Sequence, residues 1–589
     1  MRPGQMRRLS IILALAAILS PFLAAAPASS AFIPLDSTFY EDYDLLMASI
    51  GRQPNRSRPF SYGEARVYLS QIDDTVLSDA QEALYEGLLD QAGVEEDETI
   101  SFVVDGHISP AIYIHTDTEH FRDRVDFLNS NATMGGGSPE YHYENVDKFL
   151  LWDREREHFA DIDLTLSFAD SVSLVFRLPI ANTVHTGVPT GSRILMTNIP
   201  FLASVTDLDV NVFQDFSMNF PYRAGISFGN DWFNLTISRE RFSYGSGMVG
   251  DFVIDEALPY HNALSLSFFT ERFKYNFLIS FFPHPSQYIL TDADGDVLYS
   301  EDGQSYQNSL IFDQNSDAFT GIKFFMAHRF EWTMAEGRHR FAITEGIMYQ
   351  NDKGIVDLQV LNPMMLFHNM YIAGNSNSIL QAEWDSSFDY GIGQHIAIAV
   401  DDLAIPFEET DGSQTRPNAI GMQYGITYTS QLGPGFLANG LELTYMSPYF
   451  YLRDGKDPGA YPLDFVVAIR NQRSAFGVYD LYTIGFPGGG DQAVIAFNSE
   501  YSMPGIFDVG LNVEYTIYGP NNLMTVYGKG DEDRPDSHSL SVTISAGYDI
   551  SPSLRIETSI QDRYIASFDN NGGDAINDIA LDLSLSCSF

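Results

Sequence analysis

The alternation that ends this chain constrains its fold more than any other feature. Ile579, Leu581, Leu583, Leu585, Cys587 and Phe589 occupy every second position, with Asp578, Ala580, Asp582, Ser584, Ser586 and Ser588 between them. A period of two sends successive side chains to opposite faces of an extended strand, so one face is apolar and the other polar. The sequence ends inside this strand, on an aromatic residue. A strand in that position is safe only if it is paired, and a closed barrel pairs its last strand with its first.

The same period runs from about Thr99 onward. Ile162, Leu164, Leu166 and Phe168 alternate with Asp163, Thr165 and Ser167, and a turn at Ala169 to Ser171 leads into Val172, Leu174, Phe176 and Leu178. Leu540, Val542, Ile544, Ala546 and Tyr548 repeat the pattern, and Ser551-Pro552-Ser553 turns into Leu554, Ile556 and Ile560. Strands of about 9–11 residues, short turns alternating with long polar inserts (292–317, 519–537) and aromatics at strand ends predict an all-β fold, a transmembrane antiparallel barrel. A soluble sandwich or propeller is the competing architecture, but no propeller-type repeat is visible. At roughly 25 to 30 residues per strand with its connection, residues 99–589 accommodate about 16–20 strands, an even number with 18 favoured.

Before the barrel the period is helical. Tyr43, Leu46, Met47 and Ile50 share one face and Gly51 follows; Ser61 with Glu64 and Ser78 with Gln81 form capping boxes ahead of two further stripes. Residues 32–98 therefore predict a small α-helical bundle, expected on the periplasmic side. Residues 1–31 read as an export signal. Arg2, Arg7 and Arg8 precede the apolar stretch Leu9 to Leu23, and Ser29 and Ala31 supply small residues for cleavage after about Ala31. The stretch is shorter than the roughly 20 apolar residues a spanning helix needs.

Charge and composition narrow the function. With 33 basic and 78 acidic residues the formal net charge is −45, which argues against nucleic acid as a partner, since phosphate contacts need a concentrated basic face. The single cysteine excludes an intramolecular disulfide framework and a Cys-rich zinc site.

The motifs carry little chemistry. Gly245-Ser-Gly247-Met-Val-Gly250 matches a dinucleotide fingerprint, but apolar strand-like residues follow instead of a helix, so the glycines mark a turn where backbone passes close to something. Asp292, Asp294 and Asp296 resemble half of a calcium loop. Gly295 stands fourth and Gly303 twelfth, where an EF-hand has glycine sixth and glutamate twelfth, so a solvated acidic loop is the first reading and bound Ca2+ the second. No other cofactor is implied. Neither H-E-x-x-H nor G-x-S-x-G occurs among the chain's motifs, so no catalytic residues are assigned and an enzyme is not expected.

Arg239-Glu240-Arg241 stands out because charges inside an alternating strand have to avoid lipid. Arg239 and Arg241 are expected to face the lumen with Glu240 near a rim, either bracing the barrel or holding a hydroxyl-rich or anionic ligand.

At these residues the chain resembles the Wzi-type capsule-assembly outer-membrane proteins. The resemblance rests on Arg239-Glu-Arg-Phe-Ser-Tyr244-Gly-Ser-Gly247 with Gly250 and Leu258-Pro259, on Leu361-Asn362-Pro363, on Tyr390 to Asp402 with its paired Asp401-Asp402, and on Tyr482 to Asp491. Tyr244 stands where the family usually has tryptophan and Ser246 where it has proline. The resemblance implies an outer-membrane barrel of a diderm bacterium, lectin-like and non-enzymatic, that binds or anchors surface polysaccharide and aids capsule assembly. It makes Arg239, Glu240, Arg241, Tyr244, Asp401 and Asp402 the candidate ligand or lumen network, with Gly245, Gly247 and Gly250 as structural turns. The expected partners are surface polysaccharide, outer-membrane lipid and the insertion machinery that reads Phe589, with the chain a monomer. The alternatives are a channel for small solutes or cations and, third, a hydrolase or acyltransferase with a spatially assembled Ser/His/acid site.

Overall fold

The computed structural model describes residues 28–93, 100–118, 158–182, 188–189, 191–199, 216–217, 223–282, 322–351, 355–362, 375–402, 418–452, 463–471, 478–521, 523 and 534–589. Its wall is a closed barrel of 18 antiparallel strands. The first, β1, runs Ile100–Ile108 and resumes after a break at Ser109-Pro110 as Ala111–His115; β2 is Ala160–Phe168, β3 Val172–Asn182, β4 Arg223–Gly229, β5 Phe233–Glu240 and β6 His261–Phe269. Next come β7 Phe273–Ser280, β8 Ile322–Met334, β9 His339–Asn351, β10 Asn375–Ser387, β11 Ile392–Asp402 and β12 Ala419–Leu432. The wall ends with β13 Gly435–Met446, β14 Gln492–Met503, β15 Phe507–Tyr518, β16 Ser537–Ser551, β17 Leu554–Ala566 and β18 Ala575–Ser588.

Burial is inverted relative to a soluble protein, and that inversion identifies the solvent. Ile237, Leu264, Ile398, Leu441, Ile495, Ile544, Ile560 and Leu583 point outward and are exposed, while Asn234, Lys274, Arg329, Glu331, Glu383, Gln423 and Glu442 point inward and are buried. An apolar exterior around a polar interior is stable only in lipid. Trp332 of β8 stacks on Phe341 and packs at a tilt against Phe273 near the short turns, with ring centroids 5.9 and 5.7 Å away, as an interfacial aromatic girdle requires. No described helix is long and apolar enough to cross a membrane.

Short turns such as Ala169–Ser171, Gly433–Pro434 and Pro552–Ser553 gather at one end, and the long connections leave from the other. Three helices, α1 (Phe39–Ser49), α2 (Tyr62–Leu69) and α3 (Asp79–Ala92), seat in the short-turn mouth. Phe39, Tyr43, Leu46, Phe60, Leu69, Leu84 and Leu88 bury one another and reach Phe436 on β13. Gln53 Nε2 donates to Ser387 Oγ (2.9 Å) and Ser78 Oγ to Gln431 Oε1 (2.9 Å), tying the bundle to the ends of β10 and β12. The box at Ser78 and Gln81 forms in full. At Ser61 only half forms: its hydroxyl accepts from Glu64 N (3.2 Å), but the Glu64 carboxylate turns to Lys274 on β7 and to Tyr68. Burial pushes the Glu64 carboxyl upward and the Lys274 ammonium pulls it back.

The seam where β18 meets β1 is short: His107 and Ile108 face Ser588 and Cys587, and beyond the break Ala111 faces Ser584. Phe589 completes it, exchanging two backbone hydrogen bonds of 2.9 Å with Gly106 and laying its ring over that residue. A Cβ on Gly106 falls 2.2 Å from the ring, so Gly106→Val is expected to unseat Phe589 at a cost of about 1–3 kcal/mol. The measurement is the folded, heat-modifiable fraction recovered from outer membranes; a wild-type fraction would mean the ring is free to move aside.

Candidate functional site

The lumen is filled by chain entering from both ends. From the short-turn end, residues Ser29 to Asp36 climb the wall. From the opposite end two connections fold inward, 241–260 between β5 and β6 and, between β13 and β14, the described residues 447–452, 463–471 and 478–491, which include a hairpin (Val466–Asn471 with Val478–Thr483). The two fillings meet: Ser57–Arg58 pairs antiparallel with Ser243–Tyr244. Phe252, Ile254, Phe450, Tyr451, Phe465 and Ile484 pack as one buried core inside the barrel.

A belt of buried charge holds these segments to the wall. Arg329 on β8 donates to Glu383 on β10 (2.5 and 3.0 Å), to Thr344 Oγ1 (2.7 Å) and to Ser57 Oγ (2.8 Å). Arg340 on β9 reaches Glu331 (3.1 Å), Glu383 (3.2 Å), Asp385 and, on the inward turn, Ser246 Oγ (2.5 Å). His395 bonds Asp385 (2.6 Å) and Gln423 (3.2 Å), and Gln423 donates to Gly250 O (3.0 Å) and Glu442 (2.9 Å). Glu442 in turn accepts Met248 N (2.7 Å) and Val249 N (3.3 Å), so a wall carboxylate occupies the concavity of the glycine-rich turn. Arg329, Glu331, Arg340 and Glu383 are no more than 1% exposed. Charges so buried persist only because each is paired and hydrogen-bonded.

The residues singled out from the sequence fall in three places. Glu240 faces the lumen: it is buried and pairs with Arg223 of β4, whose Nη2 also donates to Phe32 O (3.1 Å). Arg239 shares the outward parity of Leu235 and Ile237, opposite Asn262 and Ala224. Its Nε donates to Asn262 Oδ1 (2.9 Å) and its guanidinium lies 4.2 Å from the Tyr260 ring centroid, at the strand end where an arginine stem snorkels to polar surroundings. The expectation that Arg239 faces inward with Glu240 at a rim is thus reversed, because lipid-facing Ile237 sets the phase of β5. Arg241 has left the strand and donates to Glu256 O (2.9 and 3.1 Å).

Tyr244 is buried in the core, and Asp401 receives Tyr451 N (2.8 Å), anchoring the second inward segment rather than joining Glu240. Asp402 opposes Ala419 across a bulge, and its side chain lies outside the described residues, as do Asp292, Asp294 and Asp296. Gly245, Gly247 and Gly250 do pass close to neighbours: a Cβ on each falls 2.0 Å from Asp251 Oδ1, 2.0 Å from the Gly250 carbonyl and 2.4 Å from Pro487. The turn they make is shaped by Asp251, which accepts Gly247 N (3.0 Å) and Ser243 Oγ (3.0 Å), and by Asp255, which accepts Asp251 N (2.8 Å). Burial raises both carboxyls, and for Asp255 the neighbouring Asp251 adds to it.

One small cavity opens between the climbing segment and the wall. Arg177, Arg223 and Arg241 face Asp36 and Glu240 there, with Pro34, Pro259 and Tyr260 around them. Arg177 grips Asp163 through two hydrogen bonds (2.9 and 2.7 Å) and also pairs with Asp36. Burial raises Asp36, and the Arg177 guanidinium more than offsets it, holding the carboxyl below its usual range. The cavity volume is about 20 Å³, space for one water-sized group and too little for a sugar ring. Among the described residues no cluster of three or more His, Cys, Asp or Glu is arranged to hold a metal ion.

Sequence reasoning passed over the larger belt, although its signal was of the same kind. Arg329-Phe-Glu331 and Glu383-Trp-Asp385 put charges at alternate positions with an outward aromatic between them.

No family model matches the chain, and no curated protein matches it. Among solved structures, the carbohydrate-binding barrel Wzi of Escherichia coli, involved in group 1 capsule assembly, aligns over 95% of this chain and 99% of its own with a TM-score of 0.54 at 11% identity. Pseudomonas aeruginosa OccK3 aligns over 82% of this chain and 95% of its own (TM-score 0.36, 9% identity), and the Acinetobacter baumannii outer-membrane channel DcaP over 84% and 99% (TM-score 0.32, 8% identity). Closed wall, lipid-facing exterior and full-length alignment together make this chain an outer-membrane β-barrel with the fold of Wzi.

Proposed function

We infer that this protein binds surface polysaccharide at the outer membrane and anchors it there, without making or breaking covalent bonds. The observation that carries the reading is the filled lumen: two inward connections and an N-terminal segment are held to the wall by hydrogen bonds from buried charged side chains, which suits a rigid holder better than a passage. Its likeness in fold to a carbohydrate-binding barrel supports the same reading. The cavity at Arg177 and Arg223 is too small for a sugar, and the glycan would meet the long connections at the end of the barrel away from the short turns. At a net charge of −45, a neutral polymer, or an acidic one bridged by Ca2+, is the better partner. The remaining partners of this reading are outer-membrane lipid and the insertion machinery acting on Phe589, with the chain working as a monomer after export.

Deleting the protein is expected to leave total surface polysaccharide unchanged while moving it from the cell-bound fraction into the medium. Quantifying the two fractions separately against the parent strain tests this, and an unchanged cell-bound fraction would sink the anchoring reading. A cation-preferring channel is the second reading, favoured by one observation: Glu500, Asn512, Glu514 and Glu557 on β14, β15 and β17 face the lumen and stay partly accessible. Conductance across a planar bilayer discriminates the two.

A further inference from the structure

Residues Ser29 to Ala31, which lie within the expected export signal, are built into the folded barrel. Ser29 and Ser30 are 0% exposed and Ala31 is 2% exposed. Ser30 Oγ bonds Ser173 Oγ on β3 (2.8 Å), and its carbonyl accepts Asn234 Nδ2 on β5 (2.8 Å). Ala31 O accepts Tyr62 N (2.9 Å) and Ser29 O accepts Gly63 N (3.0 Å), which caps the entry to α2. Removing these three residues would strip partners from two wall strands and a helix start. Ala28 is also buried, but its one backbone hydrogen bond is a turn contact, its carbonyl accepting from Ala31 N (3.0 Å).

The surroundings of Ser29 N are unusual for a peptide nitrogen. It lies 2.6 Å from Asp170 Oδ1, in the turn between β2 and β3. The Ser29 hydroxyl bonds the other oxygen of Asp170, approaches Asp231 Oδ1 in the β4–β5 turn (3.5 Å) and accepts Arg66 Nη1 (3.2 Å). Asp170 thus holds both the nitrogen and the hydroxyl of Ser29, while Asp231 and Arg66 approach the hydroxyl; the nitrogen, within a peptide bond, carries no charge to match that carboxylate. Upstream, Ala26-Pro27-Ala28 places small residues at the −3 and −1 positions of a cleavage site.

We propose that the chain is processed between Ala28 and Ser29, and that the new α-ammonium of Ser29 is clamped by Asp170. The step is a hydrolysis by a leader peptidase: the Ala28 C–Ser29 N bond breaks, water gives its hydroxyl to the Ala28 carbonyl carbon and its proton to the Ser29 nitrogen. The site lies three residues before the one that small-residue spacing alone favoured. A free α-amino group is protonated at neutral pH, and an ammonium against a carboxylate makes charge-assisted hydrogen bonds about twice as strong as neutral ones.

N-terminal sequencing of the protein isolated from outer membranes tests the cleavage, and Ser-Ser-Ala-Phe-Ile is expected. A chain starting at Phe32, or anywhere other than Ser29, overturns the assignment. The clamp is tested on the full mature chain refolded with Ser29 first and on a version carrying a Gly-Ser extension ahead of it. Asp170→Asn is expected to speed unfolding about tenfold in the first, the factor for about 1.4 kcal/mol, and to have little effect in the second. Equal effects in both chains would mean that Asp170 merely accepts an amide proton, which overturns the clamp while leaving the cleavage site to the sequencing result.

Discussion

Arg329→Met is expected to destabilise the barrel more than loss of any other belt charge. The change removes the guanidinium that satisfies Glu383, Thr344 and Ser57 at once and that lies 3.2 Å from Glu331, all of them buried. Glu331, Glu383 and Asp385 are left sharing Arg340, and removing one partner of a buried ion pair costs about 3–5 kcal/mol. The barrel is expected to lose most of its folded, heat-modifiable form, with the N-terminal segment released because Ser57 loses its wall partner. Arg329→Lys should be only partly better, since an ammonium cannot serve Glu383 bidentately while also reaching Thr344 and Ser57. Pairing Arg329→Met with Glu383→Gln should recover part of the loss, and the recovery measures the coupling. A single mutant that melts with the wild type would show that water reaches this belt and solvates it.

The second large effect is expected at Gly485, and it should be confined to the lumen. A Cβ there falls 2.1 Å from the Phe252 carbonyl oxygen and 2.6 Å from the Tyr451 hydroxyl. That hydroxyl holds the two inward connections together, donating to Phe252 O (2.7 Å) and accepting Phe486 N (2.8 Å). Backbone cannot step aside as a side chain can, so Gly485→Ala should separate the connections at a cost of about 1–3 kcal/mol. Limited proteolysis reads this directly, because local opening sets the cleavage rate: about tenfold faster cutting within 447–491 is expected, with the wall still melting normally. Wild-type cleavage would mean that the inward core repacks. If the lumen filling is what blocks passage, the same variant should also raise bilayer conductance.

Much of the wall was readable because lipid allows few solutions. A strand crossing it has to alternate and a sheet has to close, so Ile579 to Phe589 and the paired runs around Ala169–Ser171 and Ser551–Ser553 led directly to an antiparallel barrel with an even strand number. The helices before it announced themselves through local signals, Gly51 after the first stripe and Ser78 with Gln81 before the third. The Ser61 box failed by half because a tertiary partner, Lys274, outbid a local one for Glu64.

The candidate site was less legible. The charges of Arg239-Glu240-Arg241 stand out in the sequence, whereas their phase is set by Leu235 and Ile237, which put Arg239 on the lipid side. Asp401 and Glu240 share a resemblance to one family's motifs, yet one braces the second inward connection and the other the N-terminal segment. Nothing local in a sequence reports which loop turns inward. That choice depends on whether a loop's backbone finds partners on a wall assembled from strands far away in the chain, as Met248 and Val249 find Glu442 and the Ser29 nitrogen finds Asp170. The sequence alone therefore determined the class of fold and its solvent, because alternation and length are local properties under a strict solvent constraint. Only the tertiary structure decided that the lumen is filled and which charges hold the filling, because those pairings join residues hundreds of positions apart, such as Ser57 with Arg329.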